Sequence, residues 1–424
     1  MHLRFKKIYI LLICLPFVLA GILFFINSKQ SSKNIVIWTD QSILLSYAEF
    51  FNSSQSEYKV IVEYQESPVD SFVNAGKNFP DIVIGPWLKN EMLRKNFLPL
   101  NFAFAQEKLS KKDFYPQLLE LGNINGKQYL LPVSFNLPLL AFSSNNSNFV
   151  KSDFMLSLEE IKESSKAFNK KNKKGDFTAM GFAPIWNSDF AYVASKLFGT
   201  DYTESANLFS YNELVLQGCI DYLKEWTIQN NESITKESDF QFANLCYPVY
   251  KLVNSEKCLF TYSKSDELFT LPQDRLQNVD FRWICKNNRI AMADKLIYLG
   301  IHHKTKNKKG AEAFVLWLCN EENQKQLLER SEKMKMTVSA FGIAGGFSAI
   351  KSVNEKYFPI FYPILYGHLP TAEYLSPPNI LPASWEDIKN QVIVPYLADC
   401  LKQSENIEIL SLEQRILDWQ KQNY

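Results

Sequence analysis

Few side chains in this sequence are arranged for catalysis or for metal binding. Its 424 residues include four histidines, and no HExxH, GxSxG or GxxxxGK[ST] segment occurs. His302 and His303 are adjacent, and neighbouring residues of a strand point to opposite faces, which argues against a shared metal ion. The carboxylate pair Glu159 and Glu160 stands at a predicted helix start, where acidic side chains stabilise the helix dipole. The sequence therefore predicts no enzyme, no metal site and no cofactor.

The elements that position the side chains alternate between strands and helices near the start of the chain. Ile35–Thr39, Lys59–Tyr64 and Asp81–Gly85 are predicted strands. Ser42–Asn52 and Val69–Ala75, which lie between them, have helical spacing of their apolar residues. Strands that alternate with helices predict βαβ units and a mostly parallel sheet.

The alternation continues along the chain without a long linker. Asn125-Gly126 predicts a hairpin turn, and Pro138–Ser143 and Val279–Cys285 predict strands. Ser157 with Glu160 forms a capping-box pattern before a predicted helix. A chain of this length is expected to form two lobes rather than one core. Because the sequence has no internal repeat and no low-complexity tether, short crossings are expected to join these lobes.

The composition is typical of a folded protein and does not indicate a polyanionic partner. The net charge is +1, which argues against nucleic acid as a partner. The 32 Phe, 20 Tyr and 8 Trp must mostly form core, although Trp and Tyr also suit clefts that stack ligands. Of the seven cysteines, all but Cys14 lie in the body. Six cysteines allow fifteen pairings, and we expect buried small hydrophobic side chains.

The first 33 residues predict a membrane-insertion segment. Arg4, Lys6 and Lys7 precede an uncharged run of 19 residues, Ile8–Ile26. As a helix this run spans roughly 28 Å, close to the hydrocarbon thickness of a bilayer. Because basic residues resist translocation, the body is expected on the extracytoplasmic side.

Three fates of this segment stay open. The run is longer than the roughly 7–15 apolar residues of a cleaved signal, which favours an uncleaved anchor in the cytoplasmic membrane. Cleavage after Ala20 would leave a mature start at Gly21. Cys14 is a candidate for lipid attachment, although apolar residues rather than polar ones follow it. The expected location is the cell envelope, with the body anchored outside the cytoplasmic membrane.

Four segments resemble the extracellular solute-binding proteins of ABC importers, family 1, the carbohydrate-binding type related to maltose-binding protein. They are IVIWT followed by Asp40, FPDIVIGPW (Phe79–Trp87), INGKQYLLPVSFNLPLLAFSSN (Ile124–Asn145) and KKGAEAFVLWLCNEENQKQLL (Lys308–Leu328). The likeness covers residues 34–402, and its NGK-Y-LP segment and helix pair are together the most specific parts. The sequence departs from the family pattern at Arg289–Gly300, where the family has a glycine-rich stretch.

The resemblance implies an α/β fold of the two-lobe, type II periplasmic binding protein-like kind, with discontinuous lobes around a central cleft and one membrane segment before them. Lobe one is expected at residues 34–140 and 295–345, and lobe two at 141–294 and 346–424. The implied function is capture of a small polar solute, with a carbohydrate favoured, by lobe closure for ABC permease subunits. A membrane-tethered sensor without a transporter is an alternative, and a glycan-acting enzyme is a less favoured one.

A sugar-binding cleft needs particular side chains. An aromatic ring packs on the apolar face of a sugar, and Asp or Asn side chains bind its hydroxyl groups. Binding residues tend to follow the carboxyl ends of parallel strands. The candidates at such positions are Trp38, Asp40, Trp87, Asn136, Trp186, Asn187, Asp189 and Asp294.

Each candidate also has a purely structural interpretation. Trp38 and Trp87 suit the core as well as a cleft. Asn187 is placed to cap the following helix, and Asp189 is placed to stabilise the dipole of that helix. Four other tryptophans lie in predicted strands or helices and are expected in the core: Trp226, Trp283, Trp317 and Trp385.

Overall fold

The computed structural model describes residues 33–76, 78–205, 208–244, 247–402 and 409–423. The predicted membrane segment Ile8–Ile26 lies outside these residues, so it stays a prediction. In the part of the chain that the structure describes, no helix has both the length and the apolar character needed to cross a bilayer.

Two sheets organise the described residues. Their strands are β1 (Asn34–Thr39), β2 (Lys59–Tyr64), β3 (Ile82–Gly85), β4 (Leu131–Phe135), β5 (Pro138–Ser143), β6 (Met155–Ser157), β7 (Thr261–Lys264), β8 (Val279–Cys285), β9 (Ile297–Ile301) and β10 (Phe347–Ser348). The first lobe contains the six-stranded sheet in the order β10-β4-β9-β3-β1-β2. The second lobe contains the four-stranded sheet in the order β7-β5-β8-β6. β3, β4 and β5 are buried along their whole length, as continuous apolar runs require.

Helices cover both sheets. The longer ones are α1 (Leu44–Ser54), α2 (Leu158–Phe168), α3 (Ser188–Phe198), α4 (Glu213–Asn231), α5 (Ile234–Asn244), α6 (Lys308–Leu318), α7 (Glu321–Lys333), α8 (Val394–Lys402) and α9 (Leu412–Asn423). The predicted capping box is confirmed, because the Ser157 hydroxyl accepts from the Glu160 amide and the Glu160 carboxylate accepts from the Ser157 amide. The predicted hairpin turn is also present, with Asn125 and Gly126 both at positive φ.

The prediction of a mostly parallel sheet is wrong. In the first lobe β1 pairs in parallel with β2 and β3, but β9 runs antiparallel to β3 and β4. β10 is also antiparallel to β4. The βαβ pattern sets strand direction only at the start of the chain. β9 enters this sheet directly from the other lobe, so its direction follows from that crossing.

The chain passes between the lobes at three places in the described residues, and these crossings lie side by side. The first crossing is at Asn136, the second spans residues 286–296, and the third is at Leu375–Ser376. The Ala293 amide donates to the Asn136 carbonyl at 2.9 Å, and the Met292 amide donates to the Ser376 carbonyl at 2.9 Å. The three crossings therefore form one hydrogen-bonded band between the lobes, as discontinuous lobes require.

The return to the second lobe comes later than the predicted boundary at residue 346. Phe347–Ser348 is a strand of the first sheet. The Tyr115 hydroxyl donates to the Pro370 carbonyl at 3.0 Å, which holds the following segment on the first lobe. The second lobe resumes with Leu381 and Trp385, which lie in its core. No sequence pattern marks this third crossing.

The described cysteines are unpaired and buried, as expected of small hydrophobic side chains: Cys219, Cys258, Cys285, Cys319 and Cys400. Burial raises the pKa of Cys219 and of Cys319 to about 12. Both thiols therefore stay protonated at neutral pH, which makes them poor nucleophiles.

Candidate functional site

A cavity of about 350 Å³ lies between the lobes, and we refer to it as the cleft cavity. Its first-lobe wall consists of residues 40–43 after β1, Trp87 after β3, and the segment 339–345. Residues 264–270 and 385–389 line it from the second lobe. Asn136 and residues 293–295, at the first and second crossings, complete it. The volume lies at the lower end of the range of about 300–1,000 Å³ for small-molecule sites.

Asp40 and Lys295 form an ion pair in this cavity. Asp40 Oδ2 lies 3.2 Å from Lys295 Nζ, and Asp40 Oδ1 accepts from Gln41 Nε2 at 2.8 Å. The Asp40 side chain is only 8% exposed, whereas the Lys295 side chain is 47% exposed. The pair therefore offers a fixed acceptor and a more accessible donor side by side, which is an arrangement that can bind a hydroxyl group from both directions.

Asn136 connects the two lobes through its side chain. Its Nδ2 donates to the Gly345 carbonyl on the first lobe at 2.8 Å. Its Oδ1 accepts from the Ser265 hydroxyl on the second lobe at 2.6 Å, and the Leu137 amide donates to the same hydroxyl at 3.1 Å. Asn136 thus lines the cavity, but its amide group already holds the first crossing in place.

Trp87 supplies the accessible aromatic surface of the cavity. It is half-buried, and it packs against the core of each lobe. Its backbone is left-handed, with φ at 64°. A non-glycine residue in this region is strained, and the surroundings must hold it there. The conformation directs the chain after β3 so that the indole ring lies at the cleft.

Asp294 lies where the second crossing meets the second lobe. Its Oδ2 accepts from the Tyr192 hydroxyl at 2.6 Å and from Trp385 Nε1 at 3.0 Å, while Lys196 Nζ pairs with Oδ1. Burial acts to raise the pKa of Asp294, but the Lys196 ammonium and these donors outweigh burial and lower it. Asp294 therefore reaches the cavity as an ionised carboxylate whose oxygens are already occupied.

Lys89 is buried beside this carboxylate. It is 5% exposed, and its Nζ has no hydrogen-bond partner among the described residues. The ammonium lies 5.6 Å from the centre of the Tyr298 ring. Burial lowers the pKa of Lys89 to about 7, with a partial offset from the charge of Asp294. An unpaired amine at the boundary of the lobes is costly to keep charged.

The predicted placement of Trp38 in the cleft is wrong. Trp38 lies within β1 rather than after it, and its Nε1 donates to Glu63 Oε2 on β2 at 2.7 Å. The side chain is 8% exposed and lines a different groove, with Tyr58 and Glu63. Asp40, which follows the end of the strand, is the residue that reaches the cleft cavity.

Trp186, Asn187 and Asp189 are not among the residues that line the cleft cavity. The Trp186 ring stacks on Phe240 of α5, with ring centres 5.6 Å apart, and its Nε1 donates to the Glu237 carbonyl at 3.2 Å. Asn187 caps α3, because its Oδ1 accepts from the amides of Asp189 and Phe190. The helix-cap interpretation of this segment therefore holds.

Several residues of the second-lobe wall were missed by the sequence analysis: Lys264, Asp266, Trp385, Glu386 and Lys389. Trp385 is fully buried, as predicted for a core residue, yet its ring also forms part of the cavity wall. Burial acts to lower the pKa of Lys264, but the carboxylates of Glu267, Asp266 and Asp189 outweigh burial and raise it. No local motif identifies these side chains, because the third crossing and the strand order bring them to the cleft.

No protein-family model and no curated protein matches this sequence. The fold, however, matches many solved structures. One is the sugar-binding protein MalE from the phytopathogen Xanthomonas citri, at 12% identity and a TM-score of 0.63, over 92% of this chain and 96% of that chain. Another is the ABC substrate-binding protein Lmo0181 from Listeria monocytogenes in complex with cycloalternan, at 12% identity and a TM-score of 0.59, over 92% and 97% of the two chains.

A third similar structure is the Thermus thermophilus maltotriose binding protein bound with maltotriose, at 13% identity and a TM-score of 0.55, over 91% of this chain and 97% of that chain. The likeness confirms the two-lobe α/β fold that the resemblance implies. These three structures are binding proteins by description.

Proposed function

We propose that this chain is an extracytoplasmic solute-binding protein that captures a small sugar in the cleft cavity. The observation that carries the proposal is the cleft cavity itself. It lies between two lobes, beside three hydrogen-bonded crossings, and combines one accessible indole ring with polar side chains from both lobes. The structures with the same fold include several that bind sugars.

In this proposal each wall of the cavity has a separate role. Trp87 packs against the apolar face of a sugar ring. Asp40 and Lys295 bind hydroxyl groups from the first lobe and the second crossing, since one offers an acceptor and the other a donor. Lys264, Asp266 and Lys389 contact the solute from the second lobe. The solute is thereby held by both lobes at once.

Binding by both lobes favours the state in which they are close together. A solute shifts the equilibrium between open and closed lobes only by its preference for the closed state. The three crossings are the segments about which the lobes rotate, and Asn136 joins a loop of each lobe at the first of them. Asn90 of the first lobe also donates to Glu204 of the second at 2.7 Å, which supports a closed arrangement.

The proposed partner is the permease of an ABC importer, to which the closed form would be presented. The sequence has no phosphate-binding loop, so the energy for transport has to come from partner subunits. Retention of Ile8–Ile26 as an anchor would hold the body near the membrane and raise its effective concentration at the permease.

A thermal-shift screen of the purified chain tests this proposal. A panel of neutral mono- and oligosaccharides, amino sugars, sugar acids and polyols is added at millimolar concentration. A ligand that binds only the folded state raises the midpoint of unfolding, and the rise grows with the ratio of ligand concentration to Kd. We expect at least one neutral sugar to raise it, and no shift with any member of the panel would contradict the proposal.

A further inference from the structure

A cluster of exposed lysines surrounds Lys33, the first residue that the structure describes. We call this cluster the basic face, and its members are Lys33, Lys59, Lys304, Lys306, Lys308 and Lys309. The Lys59 amide donates to the Lys33 carbonyl at 2.9 Å, which joins the start of β2 to the residue before β1. The Asn307 side chain donates to the Asn34 carbonyl at 2.9 Å, so the loop before α6 lies against the start of β1. Segments distant in the sequence thus contribute to one charged surface of the first lobe.

The loop before α6 is held on the first lobe by its polar residues. Asn307 is buried, and its side chain caps α6. The Thr305 hydroxyl donates to the Asp81 carboxylate. Lys304 and Lys306 alternate with these two residues and are exposed. One side of the loop is therefore bound to the protein, while the other side presents its charges to the surroundings.

The protein neutralises little of this charge. Lys308 lies 3.8 Å from Glu312, and the other five lysines of the basic face form no ion pair within the part of the chain that the structure describes. The carboxylates of Glu63 and Asp81 lie nearby, but they already accept hydrogen bonds from Trp38 and Thr305. The first turn of α6 contains lysines and no acidic residue, although a cation is unfavourable there because of the helix dipole. The stability of the fold therefore does not account for the basic face.

The position of Lys33 identifies an anion within reach. The predicted membrane segment ends at Ile26, seven residues before Lys33. Seven residues span at most roughly 25 Å, so Lys33 of an anchored chain stays within that distance of the hydrocarbon core. Lysine clusters beside a membrane segment are attracted to anionic headgroups, and this attraction falls off within a Debye length of about 8–10 Å. Tethering therefore makes lipid headgroups the anions that the basic face meets at the highest effective concentration.

We propose that the basic face docks reversibly on the anionic headgroups of the bilayer in which Ile8–Ile26 is anchored. This inference goes beyond the proposed function, because it requires the predicted anchor and does not require that the chain binds a sugar. β1 begins at the basic face and ends beside Asp40, which lines the cleft cavity, so the two sites lie at opposite ends of this strand. Docking therefore holds the first lobe on the membrane and leaves the cleft accessible to solutes.

The test is lysine footprinting of the full-length chain in lipid nanodiscs. The nanodiscs consist of phosphatidylcholine alone or of phosphatidylcholine mixed with phosphatidylglycerol, and mass spectrometry measures how fast a water-soluble reagent acylates each lysine. In the anionic nanodiscs the acylation of Lys304, Lys306 and Lys309 is expected to slow at least about fivefold, and high salt is expected to restore it. Lys173 and Lys174, which are exposed on the second lobe, are expected to react equally in both.

Two variants of equal net charge separate docking from simple proximity to the anchor. Lys304→Glu/Lys306→Glu is expected to restore the acylation of Lys309 in anionic nanodiscs, since each lysine removed weakens the docked state about fivefold. Lys173→Glu/Lys174→Glu, the matched control, is expected to leave Lys309 protected.

Three results would overturn the inference. One is equal acylation of Lys309 in neutral and anionic nanodiscs, and another is protection of Lys309 that persists in Lys304→Glu/Lys306→Glu. The third is failure of the unsubstituted chain to remain in nanodiscs of either composition. Each of them would leave the proposed function standing, because the thermal-shift screen with sugars tests that function separately.

Discussion

Asn90 Nδ2 of the first lobe donates a hydrogen bond to Glu204 Oε2 of the second lobe at 2.7 Å. Asn90 follows Trp87 in the loop after β3, and the Glu204 amide is itself bound to the Ile380 carbonyl of the second lobe. The contact requires that the lobes lie against each other at this point. We expect it to stabilise the closed arrangement and to break when the lobes separate.

Substitution of Asn90 is therefore expected to favour the open arrangement. Asn90→Ala should weaken binding of the preferred sugar about threefold to tenfold, since a hydrogen bond to a charged group contributes about 1.5–3 kcal/mol and part of this stabilises closure. Calorimetry measures the affinity, and small-angle X-ray scattering measures the radius of gyration without ligand. Asn254→Ala, which removes a surface amide far along the chain on the second lobe, serves as the control. Unchanged affinity and radius in Asn90→Ala would contradict this role.

Lys89 predicts a pH dependence of stability. Its pKa in the folded protein is about 7, below the ordinary value of 10.5, because its amine is buried, near Asp294 and Lys196, with no hydrogen-bond partner in the part of the chain that the structure describes. The unfolded chain therefore binds more protons than the folded one between these pH values. Lys89 therefore lowers the free energy of unfolding least above pH 10.5. This destabilisation increases as the pH falls and becomes constant below about pH 7.

Lys89→Met removes this cost and is expected to stabilise the protein. At pH 7 the gain in unfolding free energy is on the order of 4 kcal/mol, since each pKa unit corresponds to about 1.36 kcal/mol. The midpoint of thermal unfolding of the two proteins at pH 6, 8 and 10 measures the effect, and the advantage of the variant should shrink as the pH rises. Lys304→Met, at an exposed position, should show no such trend. A variant no more stable than the unsubstituted chain at pH 6 would contradict this account of Lys89.

Substitution of Asp294 is expected to destabilise the protein, in contrast to substitution of Lys89. Asp294→Ala removes the acceptor of Tyr192 and Trp385 and the counter-ion of Lys196, and removal of one partner of a buried ion pair costs about 3–5 kcal/mol. Because its folded pKa is lowered, the stabilisation by Asp294 is present above the ordinary pKa of an aspartate and is lost as the pH falls below that value.

The control for Asp294 is a surface ion pair. Asp399 pairs with Arg415 at 2.8 Å, and Asp399→Ala is expected to cost no more than about 1 kcal/mol. Chemical denaturation at pH 7 compares the two variants. A cost for Asp294→Ala as small as that for Asp399→Ala would show that the carboxylate does not anchor the second crossing.

The N-terminal segment makes a prediction that is independent of the body. If Ile8–Ile26 is an uncleaved anchor, the mature chain retains its N-terminal residues and stays in the membrane fraction after a high-salt wash. Intact-mass spectrometry of the protein from its native membrane distinguishes the three fates. A mature start at Gly21, or a mass increment of a lipid on Cys14, would contradict the anchor and leave the proposed binding function intact.

The order of strands and helices was largely predictable because it depends on local patterns. β2, β5 and β8 have the predicted bounds, since the alternation or continuous burial of their apolar residues is encoded within a few residues. Asp40, Trp87 and Asn136 could be placed at the cleft cavity because each follows a strand. Trp38 does not lie at the cleft cavity, since it is within β1 rather than after it and its indole donates a hydrogen bond to Glu63 on the neighbouring strand.

The second-lobe wall could not be predicted from local patterns. Asp266 and Lys389 are more than a hundred residues apart, and they share a cavity only because the third crossing returns the chain to the second lobe after residue 376. The sequence contains no sign of that crossing, which also explains why the predicted boundary at residue 346 came too early. The directions of β9 and β10 were missed for the same reason, because they depend on which lobe the chain has just left.

The central claim is that a sugar ring packs on Trp87 inside the cleft cavity. Calorimetric titration of a sugar found in the thermal-shift screen into the Trp87→Ala variant tests it most directly, with Trp38→Phe as the matched control outside the cavity. We predict that Trp87→Ala weakens binding at least tenfold, because the loss of an aromatic platform removes both buried area and ring contacts, while Trp38→Phe binds as the unsubstituted chain does. Binding of equal affinity by Trp87→Ala would contradict the account.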